Sequence, residues 1–482
     1  MERWSSSWGF LLAAIGSAVG IGNIWRFPAI VGQNGGGAYL VPYLIAVFVF
    51  ALPLMILELT YGRQFRGSVV HVFQQIRPGF QVIGWLTCCI VLLILSYYLV
   101  ITGWTLAYCW YSVQGDTPAF DLFTMTYLPI LFFLLAAFLT GIIVSRGVRK
   151  GIERISKVLI PFCFIMLMIL VLMGTTLSGF AEGMMYLFSP DFSALADPVL
   201  WSAAFGQAFF SLSVGMGILL TYGAYTEKDQ DIPRLSVIIV IADLTAALLA
   251  GLVIFPLVFT FGLEPAAGAE LAFTSLPLAF SRIPAGHFFA VAFFLTLFIA
   301  AITSAISMLE VGVAATNESF GWSRNRSAIA ITLILVLIGL PSALSYSPAG
   351  TTLLGFRVLD LMDETVGTLG LPIAAVLMAA IFCWAVPEEK VPRELSSRQG
   401  LSGWVFPLCK YVIPPLLIVA TAARVLTGPD LSGGRPLIPG DQIIGTTFQA
   451  EGIIIILIVI LIVSFLLCRL KKCRIPGLSR KE

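Results

Sequence analysis

Runs of about 20 apolar residues with almost no charge recur along the whole chain, and that length is what a helix needs to cross the hydrocarbon core of a bilayer. Twelve such runs can be marked, at 8–29, 38–62, 82–111, 127–145, 153–178, 199–222, 233–262, 286–317, 327–346, 356–386, 403–427 and 451–469. The segments between them are too short for a separate soluble domain, so residues 1–482 read as one unit ending in a basic tail, 471–482. Only 11% of the residues are charged, against about 25% in a soluble domain. The expected class is an all-α integral membrane protein with 12 transmembrane helices. The first run lacks a basic lead and a small-residue cleavage site, so no cleavable leader is expected.

Composition also removes several chemistries. The eight cysteines lie mostly inside apolar runs without paired spacing, as small hydrophobes do. His71 and His287 are the only histidines, too few for a histidine-based metal site or a serine–histidine catalyst. A net charge of +2 offers nucleic acid no footprint, and no organic cofactor motif is present. Charge distribution is more telling. With the N-terminus inside, only Arg26, Arg282, Arg357, Arg424 and Arg435 of the 28 basic residues fall outside. The positive-inside rule then predicts that both termini are cytoplasmic.

The first run contains Gly16-Ser17-Ala18-Val19-Gly20-Ile21-Gly22-Asn23, and the sixth contains Ser211-Leu212-Ser213-Val214-Gly215-Met216-Gly217. Each glycine costs a helix interior about 1 kcal/mol relative to alanine, so both runs are expected to break. Close helix packing by small residues would explain either one alone. The shared Val-Gly-x-Gly, placed in the first span of each group of five, points instead to an inverted repeat with paired discontinuous helices. Helices 1–5 (7–178) would form one repeat and helices 6–10 (199–386) the other, with helices 11 and 12 (403–470) appended. Unwound backbone inside a membrane is tolerated where it lines a cavity, and there its free amides and carbonyls meet anionic and cationic groups.

On these residues the chain resembles the neurotransmitter:sodium symporter family, with its LeuT-like 5+5 fold. The motifs are Gly16-Ser-Ala-Val-Gly-Ile-Gly-Asn-Ile-Trp-Arg-Phe-Pro28, Asn34-Gly-Gly-Gly-Ala-Tyr-Leu-Val-Pro-Tyr43 and Pro53-Leu-Met-Ile-Leu-Glu58 with Gly62-Arg63. Lys228-Asp-Gln-Asp-Ile232 and Thr303-Ser304 complete the set. The short loops and compact tails look like a prokaryotic member, placed in the cell membrane. The resemblance implies symport of a small amino acid with two sodium ions by alternating access.

It also implies the sites. The first sodium ion would be held by Ala18, Asn23, Ser211 and Asp243 together with the substrate carboxylate. The second would be held by Gly16, Val19, Ala300, Thr303 and Ser304. These are hard oxygen donors suited to an alkali cation, although Thr303 and Ser304 taken alone could simply bond back to their own helix. The substrate would lie among Ser17, Ala18, Ile21, Gly22, Ile94, Tyr98, Phe210, Ser213, Met216, Ser304 and Met308. That mostly apolar lining implies an aliphatic or aromatic side chain, and the adaptable Met216 and Met308 imply breadth. Relatives that carry amines have Asp at position 20. Gly20 here implies that the carboxylate arrives with the substrate.

Asp243 is an ionisable residue deep in an apolar run, a functional candidate by that fact alone. The family position is usually Asn. With Tyr43 and Gln207 beside it, Asp243 is expected to replace chloride and to make transport chloride-independent, with return of a proton as an option. Arg26 and Asp363 would form an outer gate above a lid of Tyr98 and Phe210. Arg3, Tyr225 and Glu318 would close the inner side, although Arg3 directly precedes Trp4 where the family pattern leaves a longer spacing. Glu58 is expected to bond unwound backbone. A proton-coupled amino-acid transporter of a related fold is the nearest alternative, and a non-transporting amino-acid sensor another. A membrane-embedded enzyme would need paired acid–base or metal groups at one depth, whereas Glu58 and Asp243 are scattered. The oligomeric state, monomer or dimer, is left open.

Overall fold

The computed structural model describes residues 2–190, 192–263, 271–392, 395, 402–427 and 464. The expected twelfth span at 451–469 and the basic tail at 471–482 lie outside the described residues, apart from the single position 464. Apart from one two-stranded hairpin, β1 (Thr352–Leu353) and β2 (Phe356–Arg357), the described chain is helical.

Eight of its helices are long and apolar enough to cross a bilayer: α3 (Gly36–Phe65), α5 (Pro78–Gln114), α6 (Leu128–Ser145), α7 (Val148–Gly174), α10 (Ile232–Phe261), α11 (Gly286–Phe320), α12 (Arg324–Ser345) and α13 (Val358–Ala385). A ninth span is a bent pair, α1 (Ser7–Ala18) and α2 (Gly22–Gln33), with 48° between its halves. The sixth apolar run is a second interrupted helix pair, α8 (Pro198–Ser211) and α9 (Ile218–Ala224). The short α4 (Val69–Ile76) connects α3 to α5, and α14 (Ile413–Thr427) ends the continuously described chain. Ten of the twelve runs thus coincide with described helices, and the eleventh with Ser402–Pro407, Leu408–Val412 and α14.

Large apolar side chains are exposed along one side of several helices, among them Leu135, Phe138 and Ile142 on α6 and Val158, Ile165 and Leu172 on α7. Their solvent is lipid, for which such exposure costs nothing. The interior is built differently. The two longest helices, α5 and α11, pack along each other, and small residues let backbones approach: a Cβ on Gly103 would sit 2.6 Å from the Phe133 amide nitrogen of α6, and one on Gly339 of α12 would sit 2.6 Å from the Ser96 carbonyl of α5. This helix cluster is the frame against which the two broken spans are held.

Candidate functional site

Both glycine-rich stretches interrupt their helices. Ser6 caps the start of α1, its side chain accepting from the Gly9 amide. The helix ends at Ala18, where Val19 turns to φ −72°, ψ 97° while its amide still bonds Ile15. In the sixth span the break is sharper: Ser213, Gly215 and Gly217 have φ of 55°, 84° and 71°. For Ser213 that is a left-handed conformation a side chain rarely adopts. It is held by its own hydroxyl, which donates to the Ser17 carbonyl at 3.1 Å, so each break helps fix the other. Glu58 braces it from α3, its Oε1 accepting from the Gly215 amide at 2.6 Å.

Between the breaks lies a narrow cavity of about 20 Å³, bordered by Ser17, Ala18, Gly20, Gly22, Tyr98, Phe210, Ser211, Ser213, Met216, Ser304 and Met308. Nine of the eleven expected substrate residues line it. Of the other two, Ile21 does not border it, but its amide donates to the bordering Tyr98 Oη at 3.4 Å. Ile94 is buried but does not line the cavity. The space suits a water molecule and is too small for an amino acid, so entry of a larger guest requires side chains to move. Phe210, the expected lid, is half-buried, with the Arg26 guanidinium 4.7 Å from its ring centre.

One wall is a polar cluster. Asn23 Nδ2 donates to Asp243 Oδ1 at 2.7 Å and to the Asp243 carbonyl at 3.0 Å. Ser211 Oγ lies 2.9 and 3.0 Å from the two carboxylate oxygens. Asn23 Oδ1 accepts from the Gly20 amide at 3.0 Å, tying this cluster to the break in the first span. Gln207 Nε2 donates to the Gly22 carbonyl at 2.8 Å, while its buried Oε1 has no hydrogen-bond partner among the described residues, and the buried Tyr43 stands beside Ser211. The Ser211 hydroxyl and the Asp243 carboxylate oxygens, within 3.0 Å of one another, are hard donors of the kind an alkali cation takes, while Asn23 turns its nitrogen to the carboxylate and its oxygen to the Gly20 amide. On the other side Ser304 Oγ reaches the Ser17 and Gly16 carbonyls at 3.2 and 3.4 Å. Thr303 Oγ1 instead bonds back to Ile299 and Ala300 of its own helix, at 2.9 and 3.1 Å. Ser304 and Gly16 therefore meet across the interface of α1 and α11, and Thr303 stands beside Gly16 with its hydroxyl turned inward.

The expected gate residues stand apart in this structure. Arg26 and Asp363 are not within the 4.0 Å of an ion pair; Arg26 caps Phe210, while Asp363 lies with the Tyr97 hydroxyl beside Gly367. The expected inner network of Arg3, Tyr225 and Glu318 does not assemble. Trp4 is buried, donating from Nε1 to the Tyr222 carbonyl at 3.1 Å and from its amide to the Tyr225 carbonyl at 3.2 Å. Its immediate neighbour Arg3 is thereby turned outward and exposed. Glu318 accepts from the Ser68 amide at 2.7 Å, at the start of α4, and faces His71 at 3.7 Å.

A different network stands where the inner gate was expected. Tyr225 Oη donates to Glu310 Oε1 at 2.6 Å. The Arg324 guanidinium makes two bonds to the Glu310 carboxylate, at 3.1 and 2.5 Å, and lies 3.4 Å from Glu2. Glu310 is wholly buried. The sequence carried a signal for it: a lone carboxylate in the apolar run Ser307-Met308-Leu309-Glu310-Val311, the same mark that singled out Asp243.

The Sodium:neurotransmitter symporter family matches residues 1–127 and 120–467 of the chain. The sodium-dependent transporter YhdH of Bacillus subtilis (strain 168) is 34% identical over 438 residues, covering 86% of this chain and 96% of the relative. The sodium- and chloride-dependent neutral and basic amino acid transporter B(0+) of Mus musculus is 26% identical over 87% of this chain and 78% of its own length. Among solved structures, MhsT in complex with L-phenylalanine superposes with a TM-score of 0.81 at 38% identity, covering 88% of this chain and 99% of MhsT.

Proposed function

Since the chain belongs to the sodium:neurotransmitter symporter family, whose members here are sodium-dependent transporters and not enzymes, we propose that it carries a hydrophobic or aromatic amino acid into a prokaryotic cell together with sodium. The single observation behind this is the meeting of two broken helices at the Asn23–Ser211–Asp243 cluster, directly against a cavity edged by Phe210, Met216 and Met308. The solved complex of MhsT with L-phenylalanine supports the same substrate class.

In this mechanism two sodium ions travel with the substrate. One sits at Ala18, Asn23, Ser211 and Asp243, the other at Gly16, Val19, Ala300, Thr303 and Ser304. The free backbone near Ile21 and Gly22, with Tyr98, receives the substrate carboxylate. Asp243 supplies the negative charge that chloride provides in chloride-dependent relatives. Twelve spans in a 5+5 inverted repeat, with both termini cytoplasmic, rock between outward- and inward-facing states. Arg26 over Phe210 forms the outer lid, and the inner side closes through Trp4 and the contact of Tyr225 with Glu310. Two charges crossing 100 mV provide about 4.6 kcal/mol, at roughly 2.3 per charge, enough for a gradient of about 10³ at 1.4 kcal/mol per factor of ten.

The test is equilibrium binding of a panel of labelled amino acids to purified protein, in sodium and in an organic-cation substitute. Saturable binding of hydrophobic or aromatic amino acids only in sodium is the expected result. Binding that persists without sodium, or is confined to charged amino acids, refutes the proposal. Counterflow in proteoliposomes then separates a transporter from a sensor, which would bind without exchange.

A further inference from the structure

The N-terminal segment and the turn between α6 and α7 enclose a second, open cavity of about 430 Å³, edged by Glu2, Arg3, Arg146, Gly147, Arg149 and Lys150. Four cations therefore face one pocket, all four exposed. None of them forms an ion pair within 4.0 Å among the described residues. The single acid present is already engaged: Glu2 accepts from the Val148 amide with one carboxylate oxygen and faces Arg324 with the other. Arg149 uses Nε on the Arg3 carbonyl at 2.8 Å, leaving the rest of its guanidinium available. Like charges gathered this closely repel one another, and an unneutralised cluster of this kind is complementary to a compact, multiply accepting anion.

The surroundings say where that anion comes from. The pocket stands at the ends of two membrane-crossing helices, and both leave apolar side chains exposed close by: Ile142 and Phe138 lie one and two turns from Arg146 along α6, and Val158 and Ile165 follow Lys150 along α7. A soluble phosphate would use the cations alone. A phospholipid uses both parts, its headgroup in the pocket and its acyl chains on the exposed apolar sides. Basic pockets between membrane helices at the headgroup level take anionic lipids on this principle.

We propose that this pocket is a binding site for the headgroup of an anionic phospholipid in the leaflet on the N-terminal side, with Arg146, Arg149 and Lys150 contributed by the α6–α7 turn and Arg3 by the N-terminal segment. A lipid bound there ties that segment to the turn. The site is separate from the substrate cavity and does not depend on which amino acid is carried.

The experiment is native mass spectrometry of the full-length protein released from membranes of phosphatidylcholine mixed with phosphatidylglycerol. Wild type is expected to retain phosphatidylglycerol in preference to phosphatidylcholine. With about a fivefold contribution per cation near the surface, the double variant Arg146→Ala/Lys150→Ala should retain phosphatidylglycerol about thirtyfold less well. Arg234→Ala, which removes an exposed cation outside the pocket, should match wild type. Equal retention of both lipids by wild type overturns the proposal, as does equal loss in the Arg234 variant. Displacement of the lipid by millimolar inorganic phosphate also overturns it, since the pocket would then be a soluble-anion site. If the double variant fails to fold, the wild-type lipid preference and the phosphate competition still decide.

Discussion

Replacing Tyr225 by phenylalanine isolates the contact proposed to close the inner side. The change removes one hydroxyl and keeps the ring, so the packing of that ring against Trp4, with centroids 6.0 Å apart, is preserved. What is lost is the 2.6 Å bond from the hydroxyl to the buried Glu310 carboxylate. A hydrogen bond to a charged group contributes about 1.5–3 kcal/mol. Glu310 keeps both bonds from Arg324, so its charge stays paired and the lower half of that range applies best. Tyr225 follows α9 of a broken span, whereas Glu310 belongs to the long α11. In the proposed alternating-access mechanism the two separate when the inner side opens, and the lost bond therefore weakens only the closed state.

The closed-to-open ratio should fall by about 10- to 40-fold, at 1.4 kcal/mol per factor of ten. Apparent substrate affinity from outside falls with the fraction of molecules still facing outward. Hydrogen–deuterium exchange of the N-terminal segment around Trp4 reads the change directly. In sodium without substrate, its amides should exchange about tenfold or more faster in Tyr225→Phe than in wild type. Ser307→Ala, which removes the acceptor of the Tyr222 hydroxyl at 2.8 Å, serves as the neutral-bond comparison and should have the smaller effect. Unchanged exchange and unchanged affinity in Tyr225→Phe would refute the role given to this contact.

Three further outcomes follow from the site. Gly20→Ala should lower amino-acid binding by at least tenfold in equilibrium assays, because its Cβ would stand 2.7 Å from Ser304 Oγ and 3.2 Å from Tyr98 Oη, inside the space proposed for the carboxylate. Uptake by wild type should be undiminished in chloride-free buffer, whereas Asp243→Asn should acquire a chloride requirement; a chloride requirement in wild type sinks the charge-substitution idea. Glu58→Ala should destabilise the sixth-span break by about 1–3 kcal/mol, the cost of leaving the buried Gly215 amide unsatisfied, visible as a lower midpoint in detergent thermal unfolding.

The spans were legible because a bilayer asks for one simple thing, apolar length, and the chain supplies it repeatedly. The two breaks were legible for a related reason: Gly20 and Gly22, like Gly215 and Gly217, weaken helices where lipid forbids a frayed backbone unless it has a use. Ser213 was less so, since nothing in a serine announces φ of 55°; its conformation depends on the Ser17 carbonyl, far away in sequence. The gates were poorly legible. Long polar side chains near helix ends have many partners within reach, and local geometry selects among them. Trp4 takes the buried position and orients Arg3 away, and the start of α4 captures Glu318 through the Ser68 amide. Arg324 could not be paired with Glu310 and Glu2 until the ends of α11 and α12 and the N-terminal segment had been brought together.

Three carboxylates buried in apolar runs have come to three different uses, and the difference lies in what each one faces. Glu310 faces a guanidinium, which neutralises it, and a phenol, which donates to it; in the proposed mechanism that pair is a latch. Glu58 faces a bare amide, which makes it a brace for unwound backbone. Asp243 faces only neutral groups, the amide of Asn23 and the hydroxyl of Ser211, and of the three it alone has no positively charged partner or structural amide to occupy it. A buried carboxylate so placed, once ionised, gains most from a small cation. Both of its neighbours are attached to a helix break: Asn23 through the Gly20 amide, Ser211 as the last residue of α8 before the chain unwinds. A cation that reorders Asn23 and Ser211 must therefore reorder the backbone that lines the substrate cavity. In the proposed mechanism, coupling between the cation and the substrate then runs through this shared backbone, and by linkage each changes the other's affinity by the same factor.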